Sequence, residues 1–313
     1  MTSRPRPTGF TLVELLVTIA VLTLLIGILL PSLSRANKQA KGVLCKTRLA
    51  SLGHGIAMYT DDNKGALMPG RLPKIDTTRW AVEIAGGLKY RPTFLAIMGK
   101  YVGVPAFDSP APTKATHNGE RGDRQNYTND TYLCPAVSDW ADERNGAFGY
   151  NYQFLGNSRL LDEGDMFSFK NWPVKISLVK SPGECVAVGD AMGTAAAQAR
   201  RDRAEYKDDT APDEGRDPTA FGNEGFNLDP PWVATGEHGE MADKETQVRS
   251  AVHDRHLGLA NILWLDGHGS SETFATLGYE VEDSTGIVQM TGKNLKWHPR
   301  RQDVPWTEPG TSP

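Results

Sequence analysis

Hydrophobicity is distributed unevenly along this chain. From Phe10 to Leu30 the sequence FTLVELLVTIAVLTLLIGILL is apolar almost without interruption. As a helix it would be roughly 31 Å long, the thickness of a bilayer hydrocarbon core. After Pro31 the pattern changes. Leu33, Ala36, Ala40, Val43, Leu44, Leu49, Leu52 and Ile56 recur at spacings near three and four, with basic and polar residues between them. The repeat fades at Met58-Tyr59, and Asp61-Asp62-Asn63-Lys64-Gly65 reads as a stop and a turn. One helix is therefore predicted from about Phe10 to about Asp61. Its first half suits lipid or neighbouring helices, and its second half suits a folded domain. Pro31 removes a backbone donor inside it, so Gly27 and Pro31 are its expected weak points.

Beyond residue 65 the apolar runs are short. Trp80-Ala81-Val82 and Phe94-Leu95-Ala96-Ile97-Met98 are expected as short helices, and 104–131 as a polar loop. Tyr132-Leu133-Cys134-Pro135, Phe148-Gly149-Tyr150-Asn151-Tyr152, Ile176-Ser177-Leu178-Val179 and Cys185 to Asp190 are expected as strand pieces, with a turn at Ser181-Pro182-Gly183. From about 195 to 249 the chain is charged and rich in Gly, Pro and Asp, as a long loop would be. Leu259 to Leu265 has apolar groups on both alternating faces, which predicts a central strand covered on both sides. Asp266-Gly267 then suggests a type I′ hairpin turn, with 268–274 as the returning strand.

Composition narrows the function class. The chain has 313 residues and a formal net charge of -4, which gives no footprint for nucleic acid. Its apolar stretch exceeds the roughly 7–15 residues of a secretory signal, and Ser34-Arg35-Ala36 imitates a cleavage site poorly. A retained membrane helix fits better. Within it Glu14 is the only ionisable residue between Phe10 and Leu30. A carboxylate inside a membrane span costs several kcal/mol unless paired, so it invites a functional reading. A place near the end of the span, within reach of the interface, is the plainer one.

The residues around Glu14 carry a resemblance. Gly9-Phe10-Thr11-Leu12-Val13-Glu14 resembles the class III signal of type IV prepilins and type II secretion pseudopilins. The resemblance implies a leader of residues 1–9, cleavage after Gly9 by a prepilin peptidase and N-methylation of Phe10. Glu14 falls where the family keeps its glutamate, and Pro31 where many pilins carry a helix-kinking proline. It also implies an inner-membrane anchor over 10–30, a helix to residue 62, and an exported α+β domain over 63–313 in which that helix packs on an antiparallel sheet. The expected partners are the peptidase and other pilin or pseudopilin subunits. Glu14 of one subunit would pair with the new amine of another in lipid, setting axial register. The function implied is assembly, with no catalytic residue, no metal ligand and no cofactor assigned. CKTRLASLGHGIAMYTDDNKGALMP is similar to the helix-to-domain junction of bacterial pseudopilin-like proteins. His54, within it, reads as a plain helix-surface residue.

The stretch from His256 to Gly267 resembles an H-x9-DG signature near the C-terminus of prepilin-type proteins of planctomycete-like bacteria, filled here by His256, Asp266 and Gly267. The same stretch permits a rival reading. His253, His256, Asp266 and His268 offer metal ligands or an acid/base pair, so a membrane-tethered metal-dependent hydrolase is conceivable. Against that, Asp266 can cap its own turn and His256 can bond backbone where the strand begins. A second rival is a membrane-tethered surface binding module that borrows the export route. Clustered acids such as Asp208-Asp209 and Asp213-Glu214 offer oxygen ligands to calcium but lack EF-hand spacing, so a solvated loop is the simpler expectation. The three cysteines, Cys45, Cys134 and Cys185, match no C-x2-C zinc spacing. Cys134 and Cys185, both in the exported part, could form a disulfide.

Overall fold

The structure, a computed structural model, describes residues 11–70, 82–84, 87–89, 93–108, 127–137, 147–156, 158–159, 170–171, 173–201, 225–231 and 250–303. Helix α1 runs from Leu12 to Asp62, close to the predicted bounds, with Pro31 inside it. The chain divides into two compact units, Met1–Ala40 and Lys41–Pro313. In the first, the large apolar side chains from Leu12 to Leu33 are exposed. Gly27 is the residue whose carbonyl the missing Pro31 N–H would have met, four positions back.

The second unit is α+β. Its elements are α1 from residue 41, β1 (Val82–Ile84), β2 (Gly87–Lys89), α2 (Phe94–Val102), β3 (Phe148–Tyr150), β4 (Ser158–Arg159), β5 (Lys170–Asn171), β6 (Val186–Asp190), β7 (Ala260–Trp264), β8 (Gly269–Glu272), β9 (Tyr279–Val281) and β10 (Val288–Gly292). Four strands form the central antiparallel sheet in the order β3-β6-β7-β8. The pairs β1-β2, β4-β5 and β9-β10 are separate antiparallel ribbons.

Every residue of β7 is buried, and the strand lies between β6 and β8. Its alternation feeds two cores. Leu263 and Leu265 join Cys45, Leu49, Leu52 and Ile56 of α1, together with α2. Ala260, Ile262 and Trp264 join Leu277, Tyr279 and Trp297 on the other face. In β6, Val186 points to the second core while Ala187 and Val188 both join the first. The register irregularity between Val186 and Val188 breaks the alternation there.

The buried residues of α1 are Gly42, Cys45, Leu49, Leu52, Gly53, Gly55, Ile56 and Thr60. Val43 and Leu44, expected on that face, are exposed. Small residues share the stripe with Leu49, Leu52 and Ile56 where the helix comes close to the sheet. A Cβ on Gly42 would lie 3.4 Å from His256 Nδ1, and one on Gly53 would lie 2.9 Å from Leu263 Cδ1 and 3.3 Å from Gly267 Cα.

Several local expectations change. Val82 begins a strand rather than ending a helix, while Phe94–Met98 is helical as expected. Asp130–Tyr132 and Ile176–Leu178 are single 3-10 turns, not strands. In both, a backbone N–H closes on a carbonyl three residues back, which short apolar runs permit as readily as sheet pairing. Of the long loop, 202–224 and 232–249 lie outside the described residues, and with them the Asp208-Asp209 and Asp213-Glu214 calcium expectation. Residues 225–231 are packed: Phe226 and Leu228 are buried, and buried Asp229 accepts hydrogen bonds from Tyr152, Gln153 and the Ser250 N–H.

Candidate functional site

At the start of α1, Thr11 and Glu14 form a capping box. The Thr11 N–H and hydroxyl donate to Glu14 Oε2 at 2.9 and 2.7 Å, and the Glu14 N–H donates to Thr11 Oγ1 at 3.3 Å. The first turn of a helix has orphan N–H groups, and in an apolar setting water cannot serve them. The carboxylate therefore serves its own helix first. Gly9 and Phe10 lie outside the described residues.

A second constellation lies in the first core of the globular unit. Cys45 comes from α1, Cys134 from the segment after the 130–132 turn, Asp190 from the end of β6, and His256 from the approach to β7. One ligand-type atom from each falls within 4.8 Å of all the others. Cys45 Sγ donates to Asp190 Oδ1 at 3.4 Å, Cys134 Sγ lies 3.3 Å from His256 Nε2, and the same Nε2 lies 3.3 Å from Asp190 Oδ2. Both cysteines and Asp190 are fully buried, and His256 is nearly so. Around them, the Asn261 N–H donates to Asp190 Oδ2 at 2.8 Å, and Asn261 Nδ2 donates to the Gly42 carbonyl at 3.0 Å. Arg48 fixes the Cys134 segment, donating to the Leu133 carbonyl and pairing with Asp130 at 3.0 Å.

The electrostatics are those of tightly shared protons. Burial pushes the Cys45 thiol up, and Cys134 and Asp190 add to that. Burial also raises Cys134, but hydrogen bonds from Cys45 and His256 outweigh it and bring that thiol below its ordinary value. For His256, burial opposes the charge, yet hydrogen bonds to Asp190 and Cys134 raise the imidazole to about 9. A buried carboxylate demands such a partner.

The far end of β7 holds the rest of the His256–Gly267 stretch. Trp264 O accepts the Gly267 N–H at 2.9 Å, and the Trp264 N–H donates to His268 O. Only Gly267 has positive φ there, at 96°. The turn is thus type I closed by a glycine bulge, not type I′, because Leu265 is drawn into the loop and Asp266 keeps ordinary φ. Asp266 Oδ1 accepts from the His268 N–H at 3.1 Å and meets its Nδ1 at 2.7 Å, while the His268 ring stacks on Trp264. Partial burial opposes ionisation of Asp266, but the His268 backbone and ring bonds hold its carboxyl below the usual range. The length of β7 separates this pair from His256, so the grouping of His256 with Asp266 and His268 does not form. His253 lies beside Asp254, at 3.7 Å, rather than in either group.

Residues 4–30 match the family model of the prokaryotic N-terminal methylation motif. The chain carries a type IV prepilin-like N-terminus. No curated protein and no solved structure matches the chain. The prepilin-like segment contains the capping box and most of the exposed apolar length of α1, which is long and apolar enough to serve as a membrane anchor.

Beyond the prepilin-like segment, the structure corrects the cysteine expectation. None of the three is bridged. Cys185 sits apart, its thiol against the Trp297 carbonyl at 3.6 Å and pushed up to about 12 by burial. Cys134 belongs with Cys45 instead. Sequence spacing concealed this group, because its members are separated by up to 211 positions (256 − 45) and no two lie within one short motif. The available signal was Cys45 itself, a cysteine on the apolar stripe of a helix expected to face the sheet.

Proposed function

We propose that this protein is a pilin- or pseudopilin-like structural subunit that acts by assembly. The match of residues 4–30 to the methylation motif carries the reading. A prepilin peptidase cuts the precursor after Gly9 and methylates Phe10; the chain is the substrate of that chemistry and supplies no catalytic group. The domain that follows is periplasmic or, after assembly, extracellular. The exposed apolar side chains of Leu12–Leu33 then pack among the helices of other subunits, where close van der Waals contact replaces lipid. Glu14, held by Thr11 in one orientation, presents its carboxylate to the cationic amine of a neighbour's Phe10.

N-terminal mass spectrometry of the mature protein, expressed with a prepilin peptidase, tests the processing. The expected first residue is N-methylated Phe10. A mature chain starting at Met1 would reduce the apolar segment to a simple anchor and end the assembly reading.

A further inference from the structure

We propose that Cys45, Cys134, Asp190 and His256 form a structural zinc site that clamps α1 to the sheet of the globular domain. The donor set is the first reason. Two thiolates, an imidazole and a carboxylate are the ligand types zinc takes in tetrahedral sites, whereas calcium and magnesium require oxygen cages. Geometry is the second. Zn–S bonds of about 2.3 Å and Zn–N or Zn–O bonds near 2.0 Å give a tetrahedron with edges of roughly 3.3–3.8 Å. The separations between Cys45 and Asp190, Cys134 and His256, and His256 and Asp190 are 3.4, 3.3 and 3.3 Å.

The arrangement around His256 separates this from a nucleophilic triad. In a Cys-His-Asp relay the thiol and the carboxylate sit on opposite nitrogens of the ring. Here both approach Nε2, and Nδ1 has no hydrogen-bond partner among the described residues. Sulfur, oxygen and nitrogen converge on one point, as ligands do. Complete burial and four protein donors make it a closed site, which is structural rather than catalytic.

Binding requires both sulfurs as thiolates and the His256 ring neutral, so the protons these groups hold pass to solvent. Zinc with two thiolates and one carboxylate leaves a net charge of -1. Arg255, next to His256 in the chain and donating to the Ala191 carbonyl, supplies the compensating cation. The ligands come from four separate stretches of the chain, so the metal would join helix, loop and sheet in one knot. None of this depends on export or filament assembly.

The test uses the full chain, purified in detergent under reducing conditions without chelator. Elemental analysis should find about one zinc per chain. Cobalt(II) added to the stripped protein should give tetrahedral d–d absorption with a thiolate charge-transfer band. Asp190→Asn and Cys134→Ser should each weaken zinc binding by roughly 100-fold or more, beyond the loss typical of residues behind the ligands, while Cys185→Ser should leave it unchanged. The cobalt spectrum of the unmutated protein stands even if a ligand variant fails to fold. Absence of the charge-transfer band, or zinc content indifferent to Cys134→Ser, would overturn the proposal. So would a Cys45–Cys134 disulfide in protein isolated without reductant.

Discussion

Thr11 and Glu14 hold each other in a reciprocal pair of hydrogen bonds at the first turn of α1. The same carboxylate thus has a local task, capping its helix, and a proposed distant one, meeting a neighbour's amine. The two tasks need different chemistry. Capping needs an acceptor, which glutamine also offers; charge pairing needs the anion. Glu14→Gln should therefore preserve membrane insertion and α1 but lose filament incorporation as completely as Glu14→Ala. Recovery of mature protein in sheared filaments measures this. Full assembly of Glu14→Gln would leave capping as the whole role of Glu14.

Removing the metal should loosen the globular unit. With free zinc 100-fold above its dissociation constant, linkage supplies about 2.7 kcal/mol. In a domain of this size that is roughly 5–10 °C of thermal midpoint. A zinc chelator should lower the midpoint by this amount, and added zinc should restore it. Cys185→Ser should respond as the parent does. An unchanged midpoint on chelation would remove any structural role for zinc.

Acid should destabilise the domain partly through His298. Burial, then the charge of Arg300, brings its imidazole down to about 4. Its Nδ1 accepts the Arg300 N–H at 3.2 Å, so a proton there would face a donor. The unfolded imidazole takes a proton near its ordinary value of about 6.5. Between these values the unfolded chain binds the proton that the folded one refuses. Stability is complete above about pH 6.5 and falls as the pH drops towards 4, by about 3 kcal/mol in all. Urea unfolding of the parent and of His298→Gln across that range should show a flatter pH dependence in the variant. Parallel curves would remove His298 from the account.

Gly53 and Gly267 meet where α1 crosses the turn after β7. Gly53→Ala should cost about 1–3 kcal/mol, since its methyl would press on Leu263 and on the Gly267 backbone. Gly267→Ala should cost a similar amount for a different reason, the φ of 96°. A backbone shift that eases φ at Gly267 also moves the atoms on which the Gly53 methyl presses, so the double variant should fall short of the sum. Thermal or urea unfolding of the three variants measures the coupling, and strict additivity would mean that the contact is not rigid.

Much of the fold was legible because long periodic patterns outvote local ambiguity. The 51-residue α1 and the two-sided burial of β7 followed from spacing alone. Short runs misled. Ile176–Leu178 is apolar enough for a strand, but its backbone closes on itself in one 3-10 turn. Val43 and Leu44 looked like core, yet they are exposed, and Gly42 and Cys45 beside them take the buried positions ahead of Leu49, Leu52 and Ile56. The N-terminal signal was readable because it is contiguous. The Cys45–Cys134–Asp190–His256 group was not, since no local rule links a helix, a loop, a strand end and a strand approach. Those residues meet only when α1 docks.

The two glycines of α1 that admit His256 and Gly267 act as mechanical detents. They stand 53 − 42 = 11 residues apart, about three helical turns, so both face the sheet together. Sliding the helix by one turn, about 5.4 Å, would bring Lys46 and Ala57, or Lys38 and Leu49, near those two seats. Each of these residues would bring a side chain to a seat where a Cβ alone already meets His256 at 3.4 Å or the Gly267 backbone at 3.3 Å. Slippage of α1 under tension is therefore opposed at both seats. A pull on the helix is thereby passed to the sheet through Gly42, Gly53 and the Asn261–Gly42 hydrogen bond.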